Sequence, residues 1–211
     1  MILTIENLLN EDQLDYVSNY LQNSTFTDGK LTAGYAARMV KDNQQVKDED
    51  LSEYVRKILF DNSLFYSFTV PNIIHNLLFS KTDIGGKYGW HVDNAFIDGN
   101  RSDVSFTIFL NDPSDYDGGE LEIDPFGKFK LNKGDAILYP STTLHQVCEV
   151  TQGTRYVCCG WVQSKVADSA KREVIYDLEA IKQSLFAQYG KTDEFDLACK
   201  THSNLLRMWN T

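Results

Sequence analysis

The run Tyr88-Gly89-Trp90-His91-Val92-Asp93-Asn94 sets an imidazole and a carboxylate two positions apart. Side chains alternate along an extended strand, so His91 and Asp93 face the same way and can share one metal ion. A second imidazole, His145, follows Tyr139-Pro140-Ser141-Thr142-Thr143-Leu144 and begins another predicted strand, which folding can lay opposite the first pair. Two nitrogens and one carboxylate oxygen form the facial donor set that suits non-haem iron(II) and leaves the other side of the metal open. A His-x-Asp pair is common by itself. It gains chemical sense from Arg155, ten positions beyond His145 on the next predicted strand, because a guanidinium can clamp one end of a dicarboxylate whose other end chelates the metal.

The elements that must carry these residues are legible in the periodicity. From Pro71 to Val162 the pattern has period two, most clearly where Val104, Phe106, Ile108 and Leu110 alternate with Ser105, Thr107 and Phe109, which predicts a half-buried strand. Further strands are expected over Ile73 to Phe79, Glu120 to Ile123, Phe129 to Leu131, Asp135 to Tyr139, Leu144 to Val150 and Arg155 to Val162. They are separated by Asp117-Gly118-Gly119, Pro125, Asn132-Lys133-Gly134, Pro140 and Gln152-Gly153. Many short strands with regular turns favour a sandwich or jelly roll over a parallel sheet. Before them, Asn10 can cap a helix carrying Leu14, Val17 and Leu21, and a second stripe joins Leu51, Val55, Ile58 and Leu59. After them, Val174, Leu178, Ile181 and Leu185 share one helical face that breaks at Gly190, and Phe195, Cys199, His202, Leu206 and Trp209 form another.

Composition narrows the partners. The 211 residues carry thirty acidic and twenty Lys plus Arg side chains, a formal charge of -10, which weighs against nucleic acid because no basic cluster offsets it. No apolar run is long enough to span a membrane, and the opening residues lack a basic stretch followed by an apolar one. A soluble, cytoplasmic protein with reduced thiols is expected. Adjacent Cys158 and Cys159 point to opposite faces of a strand, which suits burial better than shared ligation. His75 and His202 sit on apolar stripes and read as hydrogen-bonded packing residues. The acidic run Asp115 to Glu120 lacks the twelve-position calcium-loop pattern and reads as a turn, while Gly85-Gly86 lacks the lysine and hydroxyl of a phosphate loop. Trp90 and Trp161 are expected to pack. Asn94 is a candidate to steady the metal carboxylate, and Asp103 to pair with Arg101 or Arg155.

Several blocks together resemble a known family. They are Leu31-Thr32-Ala33-Gly34-Tyr35, Lys41-Asp42-Asn43, Tyr88 through Ala95, Arg101-Ser102-Asp103-Val104-Ser105, Phe109-Leu110-Asn111-Asp112-Pro113, Tyr116-Asp117-Gly118-Gly119-Glu120-Leu121, Gly134-Asp135, Leu138-Tyr139-Pro140-Ser141-Thr142, Leu144-His145 and Trp161-Val162-Gln163-Ser164. Over roughly positions 31 to 180 the chain resembles the iron(II)- and 2-oxoglutarate-dependent dioxygenases, within them the prolyl-4-hydroxylase-like group called PKHD-type hydroxylases. The resemblance implies a mainly β fold, a double-stranded β-helix (jelly roll) with N-terminal and C-terminal helices. On that basis residues 1–70 form an N-terminal helical and covering region, 71–165 the jelly-roll core and 166–211 a C-terminal helical extension, all in one compact unit. It further implies His91, Asp93 and His145 as iron ligands, Arg155 as the partner of 2-oxoglutarate, and L-ascorbate as the reductant that restores iron(II). One departure stands out. Many relatives carry Arg-Tyr where this chain reads Lys81-Thr82, so the second contact to 2-oxoglutarate falls to the Thr82 hydroxyl, with Tyr88 or Tyr139 placed to compensate.

The activity implied is hydroxylation of an unactivated C–H bond with dioxygen and 2-oxoglutarate, releasing succinate and carbon dioxide. The substrate class is a peptidyl proline, another peptide residue or a small molecule. The segment from Phe26 to Val46, with Tyr35, Arg38, Lys41, Asn43 and Gln44, is the expected substrate rim. Two readings compete: a non-catalytic metal-binding jelly-roll interaction protein, and a zinc hydrolase with the same donors, which would need neither oxygen nor an arginine clamp. A homodimer through the terminal helices stays open.

Overall fold

Asn10 begins the first helix as its sequence suggests: its side chain accepts from the Gln13 N–H, and Gln13 reaches back to the Asn10 N–H, closing a capping box. The computed structural model describes residues 1–32, 34 and 37–211. Strand β1 (Leu3–Ile5) precedes this helix, α1 (Glu11–Gln22), which buries Leu14, Val17 and Leu21. Three short strands follow, β2 (Thr27–Asp28), β3 (Lys41–Asp42) and β4 (Gln44–Val46). Asp48 then caps α2 (Glu49–Asp61), and Asn62 caps α3 (Ser63–Thr69).

The strand-rich half runs β5 (Pro71–Thr82), β6 (Lys87–His91), β7 (Phe96–Ile97), β8 (Asn100–Arg101), β9 (Val104–Phe109), β10 (Tyr116–Gly118), β11 (Leu121–Ile123) and β12 (Gly127–Phe129). It continues through β13 (Ala136–Pro140), β14 (His145–Val147), β15 (Val150–Gly153) and β16 (Arg155–Ser164), and the chain closes with helices α4 (Ser169–Tyr189) and α5 (Asp193–Trp209). The larger sheet has the order β1-β13-β9-β16-β5-β4-β2 and the smaller β12-β11-β14-β6-β3. Neighbouring strands in both are antiparallel. Phe109 and Val157 of the larger sheet meet Leu121 and Ile123 of the smaller in one buried cluster, so the two sheets face each other as a jelly roll.

Helices α1, α2 and α3 cover the outer face of the larger sheet. Leu14, Val17, Leu51, Val55 and Phe65 bury against Ile74, Leu77, Phe106, Ile108 and Cys158 in the main core. This cover corrects the expectation of a half-buried β9. All of its residues are buried: Val104, Phe106 and Ile108 belong to the helix-covered core, while Ser105 and Thr107 turn toward the space between the sheets. The alternation in the sequence therefore separates core from cavity, not core from solvent.

The C-terminal helices pack outside the sheets. Ile175 of α4 joins Val70 and Val166, with Leu205, Leu206 and Trp209 of α5 against them. The predicted α4 stripe is displaced: Arg172 and Ile175 are buried, Ile175 against Val70 and Val166, whereas Val174 and Ile181 are about half exposed. The α5 stripe holds, with Phe195, Cys199, His202, Leu206 and Trp209 all half-buried. No helix among the described residues is long and apolar enough to cross a membrane.

Candidate active site

Strand pairing brings the two histidine segments together. In the β6–β14 ladder His91 and His145 are direct partners, and their ring centroids lie 4.2 Å apart. β6 ends at His91, and the next residues carry Asp93 back so that its Oδ1 stands 3.9 Å from Nε2 of each histidine. The three donor atoms all lie within 4.8 Å of one another, a set that can hold a metal ion.

The rings are oriented by the backbone. His91 Nδ1 lies 2.8 Å from the Gly89 carbonyl, and His145 Nδ1 lies 2.9 Å from the Thr143 carbonyl, in each case the residue two positions earlier. A carbonyl only accepts, so Nδ1 carries the proton in both rings and Nε2 presents a lone pair to the shared point. Burial, with the close approach of the His145 ring adding to it, lowers the His91 pKa, which keeps its imidazole neutral and ligand-ready near pH 7. Tyr88 stacks on His91 at 3.6 Å, and Tyr139 meets His145 edge-on at 5.0 Å. Burial raises the pKa of both phenols, so both stay neutral.

Asp93 is held by a hydroxyl relay that the sequence does not announce. Ser105 Oγ donates to Asp93 Oδ2 at 2.6 Å, and the Ser141 hydroxyl lies 2.7 Å from Ser105 Oγ. The carboxylate is thereby fixed with one oxygen toward the histidines. Asn94, the expected holder, instead turns its side chain against Gly34, and its carbonyl accepts from Ser102. Asp103 resolves to Arg101, 3.3 Å away, and also accepts from the Ser164 N–H.

Arg155 opens β16 at a depth where only 2% of it is exposed. It pairs in register with Thr82 of β5, and both line the same cavity as the three donors, a space of about 370 Å³. Among the described residues no carboxylate forms an ion pair with Arg155, its Nε has no hydrogen-bond partner, and its nearest company is the Tyr116 and Phe109 rings. Burial pulls its pKa down, yet an arginine stays charged. A buried cation without an anion is costly unless a ligand supplies one. The donor set and this arginine therefore fit a metal together with a chelating dicarboxylate.

Tyr116 and Gly119 were not singled out by sequence reasoning, which read their segment as a turn. The Tyr116 hydroxyl is buried without a hydrogen-bond partner, and the Arg155 charge opposes the rise in its pKa caused by burial. At Gly119, where φ is +66°, a Cβ would come within 3.0 Å of Arg155 Cδ and 3.1 Å of Tyr116 Cε2. The second glycine of the turn thus makes room for the arginine, a need visible only once β16 lies against that turn.

Other expected roles sort cleanly. Trp90 is 44% exposed, correcting its expected packing role, because the pleat that turns His91 inward turns Trp90 out. Trp161 lines the cavity, and its Nε1 is buried without a partner. Cys158 lies in the main core and Cys159 faces the cavity, where burial raises its thiol pKa to about 11. His75 lies 3.0 Å from the Arg101 carbonyl, and His202 lies 3.4 Å from Glu179, joining α5 to α4. Of the expected rim, Lys41 and Asn43 line the cavity, Gln44 is exposed on the sheet, and Tyr35 lies outside the described residues.

The family model of the 2OG-Fe(II) oxygenase superfamily matches residues 77–163. A PKHD-type hydroxylase of Picosynechococcus sp. is 50% identical over 100% of both chains, and one from Acaryochloris marina is 50% identical over 99% of each. Among solved structures, a Pseudomonas putida prolyl-4-hydroxylase aligns with a TM-score of 0.56 at 18% identity, over 77% of this chain and 92% of its own. A prolyl hydroxylase from Trichoplax adhaerens, in complex with a hypoxia inducible factor peptide fragment, aligns at 0.59 and 18% identity, over 82% of this chain and 86% of its own. The structural likenesses establish the double-stranded β-helix fold.

Proposed function

Because this chain belongs to the PKHD-type hydroxylases of the 2OG-Fe(II) oxygenase superfamily, we propose that His91, Asp93 and His145 hold its iron(II) and that Arg155 grips the remote carboxylate of 2-oxoglutarate. The enzyme is a 2-oxoglutarate-dependent dioxygenase, and iron(II) with 2-oxoglutarate supplies the oxidising chemistry that hydroxylates a C–H bond while succinate and carbon dioxide are released. The observation that carries the residue assignment is the convergence of three donor atoms within 4.8 Å in the cavity that also holds a buried arginine, with which no carboxylate among the described residues forms an ion pair. The Gly89 and Thr143 carbonyls keep both imidazoles in the ligating tautomer. Ser105 keeps the Asp93 carboxylate aimed, and Thr82, beside Arg155, offers a hydroxyl to the same 2-oxoglutarate carboxylate. Tyr88 and Tyr139 wall the site against water.

The target carbon is proposed to belong to a peptide residue such as proline or to a small molecule. The named activity of structural neighbours supports the first, and the half-open cavity admits either. L-ascorbate is proposed as the reductant, acting from solution. The test loads the protein anaerobically with iron(II) and 2-oxoglutarate, admits oxygen, and measures succinate and oxygenated product over a panel of peptides and metabolites. H91A, D93A and H145A are expected to lose metal, and R155A to keep metal but lose 2-oxoglutarate. Retained turnover in all four would overturn the assignment.

A further inference from the structure

Lys41 carries a second buried positive charge in the cavity, and neither the metal site nor the arginine clamp uses it. The residue is 5% exposed. In the β3–β6 ladder it is the direct partner of Tyr88, so its side chain enters the cavity over the ring that stacks on His91. Its Nζ lies 5.0 Å from the Tyr88 centroid and donates to Thr32 Oγ1 at 3.1 Å. An ammonium has three donors, and no carboxylate among the described residues forms an ion pair with this one. Burial pulls its pKa down, outweighing the nearby charges of Asp93 and Asp28, which push it up. The other charges on the cavity wall are accounted for: Lys87 pairs with Glu149 and Asp98 with Lys47 at the rim.

With iron(II) on Asp93 and the 2-oxoglutarate dianion between the metal and Arg155, one positive charge stays uncompensated, and it is that of Lys41. Its position says which molecule brings the missing anion. The Nζ is tethered to Thr32, at the end of the short 3-10 turn Gly29–Thr32, whose Leu31 is 73% exposed beside the cavity mouth. Arg155 lies instead under the Gly119 turn. Lys41 therefore lies on the side of the cavity at the Gly29–Thr32 turn, and Arg155 on the side at Gly119.

Resting on the function proposed above, we propose that Lys41 is a specificity-determining residue that binds a carboxylate of the primary substrate, so that the oxidised C–H bond lies in a molecule bearing an anionic group close to it. That group is either the α-carboxylate of a free amino acid or chain terminus, or an acidic side chain next to the target residue. Thr32, itself 2.6 Å from Gln45 Oε1, positions the ammonium for it.

The test soaks crystals of the Mn(II)- and 2-oxoglutarate-loaded protein in bromide and locates the anion by its anomalous scattering. A bromide on Lys41 Nζ, with 2-oxoglutarate held on Arg155 in the same crystal, is the expected result, and it disappears in Lys41→Met. A 2-oxoglutarate carboxylate on Lys41 while the remote one stays on Arg155, or no anion on Lys41, overturns the proposal and leaves the function intact. Failure of metal and 2-oxoglutarate to load would instead overturn the function. In solution, calorimetry of the loaded protein with N-acetyl amino acids and their amides separates the sources. A preference of about tenfold or more for the acids, lost in K41M and restored in K41R, assigns an α-carboxylate. The same preference seen only with N-acetyl aspartyl and glutamyl amides over their asparaginyl and glutaminyl counterparts assigns a side chain. Equal binding of charged and neutral members in both series overturns it.

Discussion

Ser105 donates its hydroxyl to Asp93 Oδ2 at 2.6 Å, and so a strand of the larger sheet fixes the carboxylate that completes a donor set otherwise built on the smaller one. Removing such an outer partner commonly weakens metal binding about 10- to 100-fold. Ser105→Ala is expected to fall in that range in a competition titration against a chelator, with the fold retained by circular dichroism. An affinity equal to wild type would show that Asp93 needs no support from β9.

Among the described residues Arg155 is the one arginine lining the cavity, and no carboxylate forms an ion pair with it. Losing one member of a buried charge pair costs about 2 kcal/mol or more, which corresponds to roughly a 30-fold rise in the dissociation constant of 2-oxoglutarate in Arg155→Met. Thr82→Val removes one neutral hydrogen bond, about 1 kcal/mol, and is expected to weaken 2-oxoglutarate roughly fivefold. Anaerobic calorimetry on the metal-loaded variants checks both, and metal affinity serves as the control that must not move.

Gly119 sits at φ +66° against Arg155 Cδ and Tyr116 Cε2. An alanine there meets left-handed strain of about 1–2 kcal/mol and also crowds the arginine. Gly119→Ala is expected to lower the denaturation midpoint and to weaken 2-oxoglutarate binding together. A stability loss with unaltered 2-oxoglutarate affinity would separate the turn from the clamp.

His75 is held neutral: burial lowers its pKa from 6.5, against a smaller opposing effect of the Arg101 carbonyl. An imidazole with a depressed folded-state pKa takes up its proton more readily when unfolded, so its contribution to stability is full above about pH 6.5 and declines as the pH falls below that value. The unfolding free energy of wild type minus that of His75→Asn is expected to shrink from pH 7.5 to pH 5.5. A difference that is flat or grows with acidity would mean His75 is charged in the fold.

That His91, Asp93 and His145 come together, and that Arg155 shares their cavity, was foreshadowed by residue type and spacing, although the β6–β14 pairing that joins the two segments is not local. The two-residue offset of His91 and Asp93 and the ten-residue offset from His145 to Arg155, which spans β14 and β15, survive as sequence patterns. Helix α1 was legible through its Asn10 cap and apolar stripe, and α2 through its stripe. What the sequence withheld depends on which element covers which. Ser105 and Thr107 look like solvent-facing positions until helices cover the opposite face of β9 and make their side the cavity. Gly119 looks like any turn glycine until β16 arrives beside it. Val174 and Ile181 share a helical stripe with Leu178, but Ile175, packed on Val70 and Val166, is the residue that faces the fold, and they turn outward. Strands as short as β2 and β3 have no periodicity to read, although β3 carries Lys41 into the cavity.

The central claim is that residues from two distant stretches share one iron and that a buried arginine holds the far end of its cosubstrate. The structure of the protein crystallised without oxygen, with Mn(II) in place of iron and with 2-oxoglutarate, tests it most directly. The account predicts metal density bonded to His91 Nε2, Asp93 Oδ1 and His145 Nε2, with the remote carboxylate of 2-oxoglutarate paired to the Arg155 guanidinium. Metal bound elsewhere, or a 2-oxoglutarate molecule whose carboxylates both avoid Arg155, would contradict it.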